Sequence, residues 1–170
     1  MTKRVFDVVV AAASLTVLAV PCALIAWAIK LSSPGRVIYR QRRIGRGGQP
    51  FCLYKFRTMR CTERGPQVTV EGDPRITPIG RWLRRWKLDE LPQLWNVLRG
   101  DMSVVGPRPE VERFVRYYTP EQRRVLDQTP GLAGMAQAGL PVRSGDSSSL
   151  PPDGEGLPAV FDAAKNCRGS

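Results

Sequence analysis

Asp89 and Glu90 are adjacent carboxylates that directly follow a strongly basic segment, residues 81–87 (RWLRRWK). An acidic pair surrounded by excess positive charge suits a site that binds a divalent ion and phosphates and keeps one carboxylate for chemistry. The same stretch runs on to a stiff Gly-Pro-Arg-Pro corner at residues 106–109. A plainer interpretation is an exposed amphipathic helix whose acids only pair with neighbouring arginines.

The composition restricts the chemistry available to the chain. Its 170 residues contain no histidine, which excludes histidine-based triads, histidine general bases and the common histidine-containing zinc sites. The length corresponds to one domain with a modest core. Neither a disulfide framework nor a thiolate metal site is expected, because the four cysteines are scattered without C-x-x-C spacing, and a reducing cytosolic setting fits. Catalysis must therefore depend on carboxylates, lysine, arginine and hydroxyl groups.

The formal net charge of +11 predicts a polyanionic partner. Nucleic acid, anionic lipid and a phosphorylated substrate all satisfy that prediction. A nucleic-acid-binding protein is disfavoured, because the sequence shows no helix-turn-helix, zinc or RNA-recognition pattern. The long apolar run near the N-terminus also argues against it.

Residues 8–29 form a run of 22 residues without a charge, enough for a helix of about 33 Å that could span a bilayer. Pro21 lies inside the run and is predicted to bend the helix, because proline has no backbone N–H to donate. Both flanks are basic, and the positive-inside rule disfavours moving either across the membrane. We therefore expect a re-entrant helix that enters and leaves on the cytoplasmic face, with a straight spanning helix as the alternative. A cleaved signal peptide is disfavoured by the length of the run and by the early position of its Ala-x-Ala pattern.

Four motifs together resemble the bacterial sugar transferases, the small monotopic phosphoglycosyl transferases that start glycan assembly. They are YRQRRIG at residues 39–45, YKFRTM at 54–59, DPRIT at 73–77 and LDELPQLWNVLRGDMSVVGPRP at 88–109. The resemblance runs in order over residues 3–137. It implies an enzyme that moves a sugar 1-phosphate from a nucleotide sugar, expected to be UDP-linked, to polyprenyl phosphate. Such a step would initiate exopolysaccharide or glycan assembly at the cytoplasmic face of the bacterial inner membrane.

The resemblance also implies roles for individual residues. Asp89 would be the nucleophile that forms a covalent aspartyl-phosphosugar intermediate, which is chemically plausible because carboxylates can form acyl phosphates. Glu90 would bind Mg²⁺, with Asp89 as a second oxygen ligand, or assist proton transfer. Substrate phosphates would be bound by four basic side chains: Lys55, Arg57, Arg84 and Arg108.

The predicted fold is α+β and mostly helical, with a membrane-embedded segment (1–32), a cytosolic catalytic domain (33–137) and a divergent, disordered tail (138–170). Short strands are predicted at 37–39 and 51–56, separated by a basic glycine-rich loop at 42–50 that contains a hairpin turn at 46–48. A polar loop is predicted at 63–72. Helices are predicted over four ranges: 79–87, 92–98, 110–118 and 120–126. The resemblance ends after Gln137, and this leaves a catalytically inactive or truncated membrane-bound remnant of the family as an alternative.

Overall fold

The computed structural model describes residues 2–60 and 73–134, and the α+β class is confirmed for them. About half of these residues are helical, a smaller share than the predicted mostly helical fold. The predicted loop at 63–72 and the predicted tail lie outside the described residues. The helices are α1 (Thr2–Val17), α2 (Ala19–Ser32), α3 (Pro78–Arg85), α4 (Gln93–Arg99), α5 (Glu112–Val115) and α6 (Pro120–Arg123). The strands are β1 (Ile38–Ile44), β2 (Pro50–Phe56), β3 (Ser103–Val105) and β4 (Gly131–Ala133).

The apolar run folds as two helices, α1 and α2, that meet at Leu18 with a bend of 62°. The bend lies one turn before Pro21 because the proline has no N–H for the carbonyl of Val17, four residues earlier. In the described part of the chain no single helix is long and apolar enough to cross a membrane, whereas this bent pair is when its two helices are taken together. The predicted bend is confirmed, and the straight helix is not observed.

The beginning of α1 is attached to the rest of the fold. Arg4 donates hydrogen bonds to the carbonyls of Val97 and Leu98 at the end of α4. The buried carboxylate of Asp7 accepts hydrogen bonds from Ser103 Oγ at 3.1 Å and from the backbone N–H of Val104 at 3.0 Å. These charged residues therefore dock α1, a role that the sequence pattern, in which they flank the apolar run, did not predict.

Strands β1 and β2 form an antiparallel hairpin in which Ile38 pairs with Phe56 and Ile44 with Pro50. Strand β1 is longer than predicted, because residues 42–44 pair across the hairpin and do not belong to the glycine-rich loop. The connection is confined to residues 45–49. Gly47 and Gly48 adopt positive φ angles of 66° and 74° there, which confirms the predicted turn.

Helix α3 begins with a Thr77 N-cap, whose hydroxyl accepts from the N–H of Gly80 at 3.0 Å. Gly80 also allows α3 to lie directly on the chain at Thr58, since a Cβ atom there would be 2.0 Å from the Thr58 carbonyl oxygen. Two apolar clusters hold the layers together. One joins α1, β2 and α4 (Ala11, Leu53, Leu94, Val97 and Met102), and the other joins α2, β2 and α3 (Ile29, Phe56 and Leu83).

The region after α4 differs most from the prediction. The helix predicted at 110–118 is reduced to α5. Its start is delayed because Glu110 pairs with β1: its carbonyl accepts a hydrogen bond from the N–H of Ile44 in an antiparallel bridge. The helix predicted at 120–126 is α6 followed by a 3-10 turn at Arg124–Asp127. The parallel pairing of β3 with β4 was not predicted, because each strand has only three residues.

Candidate active site

The acidic pair lies in a 3-10 helix, Leu88–Glu90, between α3 and α4. Lys87 precedes it in a left-handed conformation, φ 56°, the one positive φ angle of a non-glycine residue in the described chain. This conformation ends the basic helix two residues earlier than predicted and turns the chain so that Asp89 points inward. Asp89 is buried, with 9% of its surface exposed.

Glu90 joins three parts of the fold through two ion pairs. Its Oε1 lies 3.1 Å from the Nζ of Lys55 on β2 and 3.1 Å from a terminal nitrogen of Arg108 in the Gly-Pro-Arg-Pro corner. Burial alone would raise the pKa of Glu90, but the charge and hydrogen bond of Lys55, together with the charge of Arg108, lower it overall. Glu90 is therefore held in its ionised form.

Asp89 experiences the opposite balance. Burial raises the pKa of its carboxyl group; Lys55 lowers it, the neighbouring charge of Glu90 raises it further, and Arg84 lowers it to a lesser extent. The net direction is upward. Asp89 is thus a poorly hydrated carboxylate whose charge is favoured by the nearby cations Lys55 and Arg84.

Three of the four predicted phosphate-binding residues lie near the acidic pair, and the fourth does not. Arg84 donates its Nε to Thr58 Oγ1 at 2.9 Å and lies within electrostatic range of Asp89. Arg57, by contrast, is only 5% exposed and donates to the carbonyls of Ser33 and Pro34 at 2.7 and 2.9 Å, at the end of α2. Its guanidinium anchors the helix pair, and its assignment to phosphate binding stays a prediction.

Two residues of the site were missed from the sequence. Arg43 and Gln93 line a small concavity together with Lys55, Glu90 and Arg108. Arg43 lies within the YRQRRIG motif, so the resemblance already contained a signal for it. The neighbouring arginines Arg40, Arg42 and Arg46 have the same charge, so residue type alone could not show that only Arg43 lines the concavity.

Asn96 was also missed, and it fixes the strand that carries Lys55. Its side chain is fully buried; Oδ1 accepts the backbone N–H of Tyr54 at 3.1 Å and Nδ2 donates to the carbonyl of Cys52 at 2.7 Å. The Asn96 amide therefore forms hydrogen bonds to the edge of β2 that is not paired with β1, as a neighbouring strand would. Nδ2 also donates to Asp101 Oδ2 at 3.2 Å.

The corner that presents Arg108 is held by a close contact between two glycines. A Cβ atom on Gly131 would lie 2.0 Å from the nitrogen of Gly106, and the Gly131 N–H donates to the carbonyl of Pro107 at 2.8 Å. On the other side, the carbonyl of Pro109 accepts from Arg43 at 3.2 Å. Both contacts fix the direction of Arg108.

The carboxylates of Asp89 and Glu90 fit a Mg²⁺ site in which substrate phosphate oxygens provide further ligands. Within residues 2–60 and 73–134 no group of three or more Asp, Glu, Cys or His side chains could enclose a metal. Mg²⁺ is commonly bound by one or two carboxylates, with the remaining positions filled by phosphate oxygens and water. Asp89 and Glu90 are adjacent carboxylates of this type.

Comparison with known proteins agrees with the site. The model of the family described as Bacterial sugar transferase matches residues 1–148, beyond the point at residue 137 where the motif resemblance ends. A Caulobacter vibrioides protein named UDP-glucose:undecaprenyl-phosphate glucose-1-phosphate transferase is 53% identical over 143 residues, covering 81% of this chain and 53% of that protein. The protein of the same name from Escherichia coli K12 is 42% identical over 81% of this chain and 31% of its own length. The exopolysaccharide production protein ExoY of Rhizobium meliloti is 42% identical, covering 81% of this chain and 68% of ExoY.

The fold, the acidic pair and these matches together show that the chain belongs to the bacterial sugar transferase family. It spans about half the length of the Caulobacter relative and about a third of the E. coli relative.

Proposed function

We propose that this chain is a phosphoglycosyl transferase that moves a sugar 1-phosphate from a nucleotide sugar to polyprenyl phosphate through a covalent intermediate on Asp89. The observation that carries the proposal is the buried Asp89 carboxylate, next to an ionised Glu90 and within range of Lys55 and Arg84. The names of the relatives support the reaction class and favour an undecaprenyl acceptor and a UDP-linked donor.

The reaction consists of two displacements at one phosphorus atom. In the first, an oxygen of Asp89 bonds to the sugar-bearing phosphorus, the phosphoanhydride bond breaks, and the nucleoside monophosphate leaves with the bonding electron pair. In the second, an oxygen of polyprenyl phosphate bonds to the same phosphorus and the acyl phosphate bond breaks. This regenerates the Asp89 carboxylate and yields a polyprenyl diphosphosugar.

The surrounding side chains have separate tasks. Burial keeps Asp89 poorly hydrated, which favours its use as a nucleophile once it is ionised, and the charges of Lys55 and Arg84 favour that ionised form. Arg108 is aimed into the site by its corner and suits a phosphate contact through paired N–H donors. A Mg²⁺ ion held by Asp89 and Glu90 would offset the negative charge of the donor's diphosphate.

The bent helix pair supports a re-entrant attachment to the cytoplasmic face of the bacterial inner membrane. Its two helices, of 16 and 14 residues, are each about 21–24 Å long, too short to cross a hydrocarbon core of about 30 Å singly. Both leave large apolar side chains exposed, among them Phe6, Leu24, Trp27 and Leu31. A bilayer would cover that surface.

Mass spectrometry of the full chain incubated with UDP-glucose alone tests the nucleophile. A phosphosugar adduct on Asp89 is expected, and radiolabelled sugar should then move to a lipid-soluble product when polyprenyl phosphate is added. Asp89→Asn should abolish the adduct and reduce turnover by several orders of magnitude.

Asp127→Asn, the same chemical change at an exposed position, is the matched control and should behave as the wild type. An adduct on any other residue, or full activity in Asp89→Asn, would overturn the nucleophile assignment. If the wild-type chain gave neither adduct nor lipid product with any UDP-sugar tried, the inactive remnant would be the better description.

A further inference from the structure

Arg43 is a partly buried cation whose direct partners are all neutral. Its Nε and one terminal nitrogen donate to Gln41 Oε1 at 3.2 and 2.9 Å, and the other terminal nitrogen donates to the Pro109 carbonyl at 3.2 Å. Among the described residues no carboxylate lies within 4.0 Å of it. Removing an arginine from water without an anionic partner is costly. The site therefore holds a guanidinium with no carboxylate in direct contact, to which a bound phosphate would supply an anionic partner.

The nearby cations act on different members of the acidic pair. Lys55 and Arg84 lower the pKa of Asp89, while Lys55 and Arg108 lower that of Glu90. Burial lowers the pKa of Arg43, and the like charge of Arg108 lowers it further, whereas Glu110 raises it. Arg43 and Arg108 line the same concavity as Lys55 and Glu90, whereas Asp89 does not line it.

We propose that Arg43, together with Arg108, forms a subsite for a phosphate monoester. This inference rests on the proposed function. In a displacement at phosphorus, the attacking and leaving oxygens lie roughly in line, so the leaving phosphate is on the side opposite to Asp89. The acceptor must displace Asp89 from that same side, so the acceptor phosphate enters where the nucleotide phosphate left. A phosphate monoester carries a charge of about −1.5 to −2 at neutral pH, which two guanidinium groups match.

The neighbouring arginine of β1 provides an internal comparison. Arg42 is exposed and does not line the concavity, whereas Arg43 is partly buried and does. Successive residues of a strand point to opposite faces, so only one of the two can serve this subsite. If only the overall positive charge of the surface favoured phosphate binding, Arg42 and Arg43 would contribute equally.

Direct binding of UMP to the full chain in detergent, measured by titration calorimetry, tests the proposal without requiring turnover. Arg43→Gln should weaken UMP binding by about 10- to 100-fold, the scale of one lost charged hydrogen bond, while Arg42→Gln should stay within about 2-fold. Arg43→Lys keeps the charge but not the paired donors and should fall between them. It also keeps the test decisive if Arg43→Gln fails to fold. Equal UMP affinity in the Arg43 and Arg42 variants would overturn the proposal.

A pH series separates phosphate contact from a purely structural role through the Pro109 carbonyl. Wild-type affinity for UMP should increase between about pH 5 and about pH 7 as the phosphate gains its second charge, and Arg43→Gln should lose much of that increase. An undiminished increase would assign Arg43 to positioning the corner and overturn the subsite.

The rate at which the phosphosugar moves from Asp89 to polyprenyl phosphate tests whether the subsite binds the acceptor phosphate as well as the nucleotide phosphate. A slower transfer to polyprenyl phosphate in Arg43→Gln supports the shared subsite, and an unchanged transfer would contradict the binding of the acceptor phosphate at Arg43. If the wild type binds UMP but forms no adduct, the proposed function fails, and the Arg43 subsite is still decided by the binding measurement.

Discussion

Asn96→Ala removes the side chain that bonds the outer edge of β2, and the loss can be worked out from its contacts. The amide is fully buried and supplies one acceptor to the N–H of Tyr54 and one donor to the carbonyl of Cys52. A buried backbone group left without a partner costs about 1–3 kcal/mol. Because Tyr54 and Cys52 are only partly buried, water can reach them in part. We therefore expect a loss of about 2–4 kcal/mol from the free energy of unfolding.

This loss is large relative to a typical domain stability of about 5–15 kcal/mol, and it should also affect the site. Lys55 follows Tyr54 on β2, so a loosened strand would weaken its ion pair with Glu90 and reduce the rate of adduct formation. Denaturant unfolding of the full chain in detergent, followed by tryptophan fluorescence, measures the stability. Asn96→Asp should be at least as destabilising, because it brings a second carboxylate close to Asp101.

Arg99→Ala, on the same helix, is the matched control. Its ion pair with Asp101 spans 3.5 Å and is more than half exposed on the arginine side, so its loss should cost less than about 1 kcal/mol. If Asn96→Ala lost no more than this control, the amide would not be bonding the edge of β2 as described.

Three further predictions concern the site and the membrane. Arg108→Ala should lower kcat/KM for the nucleotide sugar by about 10- to 100-fold, on the order of 1.5–3 kcal/mol; unchanged kinetics would remove Arg108 from the site. Since the folded-state pKa of Asp89 is raised, its contribution to stability is present below the unfolded pKa and lost as pH rises through the folded pKa. Asp89→Asn should therefore be more stable than the wild type at neutral pH, with the difference disappearing in acid, as thermal unfolding at both pH values would show. A cysteine introduced at Thr2 should resist membrane-impermeant reagents in intact cells, and labelling from outside would contradict the re-entrant arrangement.

The sequence alone determined the features that depend on residue type and local spacing. The absence of histidine indicated that the chemistry depends on carboxylates, and the basic residues around Asp89 and Glu90 indicated a site for phosphates. Pro21 fixed a bend, since the loss of one N–H acts within a single helical turn whatever surrounds it. The turn at Gly47 and Gly48 is local in the same sense.

The tertiary structure decided which distant residues meet. Lys55 lies on β2 and Arg57 directly follows it, both in the YKFRTM motif, yet Lys55 pairs with Glu90, 35 residues away, and Arg57 anchors the end of α2. The sequence assigned both to phosphate, and it overlooked Arg43 among the several arginines of the YRQRRIG motif. Composition and periodicity give the side of an element on which a residue lies. They do not give the element packed against that side, because this follows from packing and pairing between segments far apart in the chain.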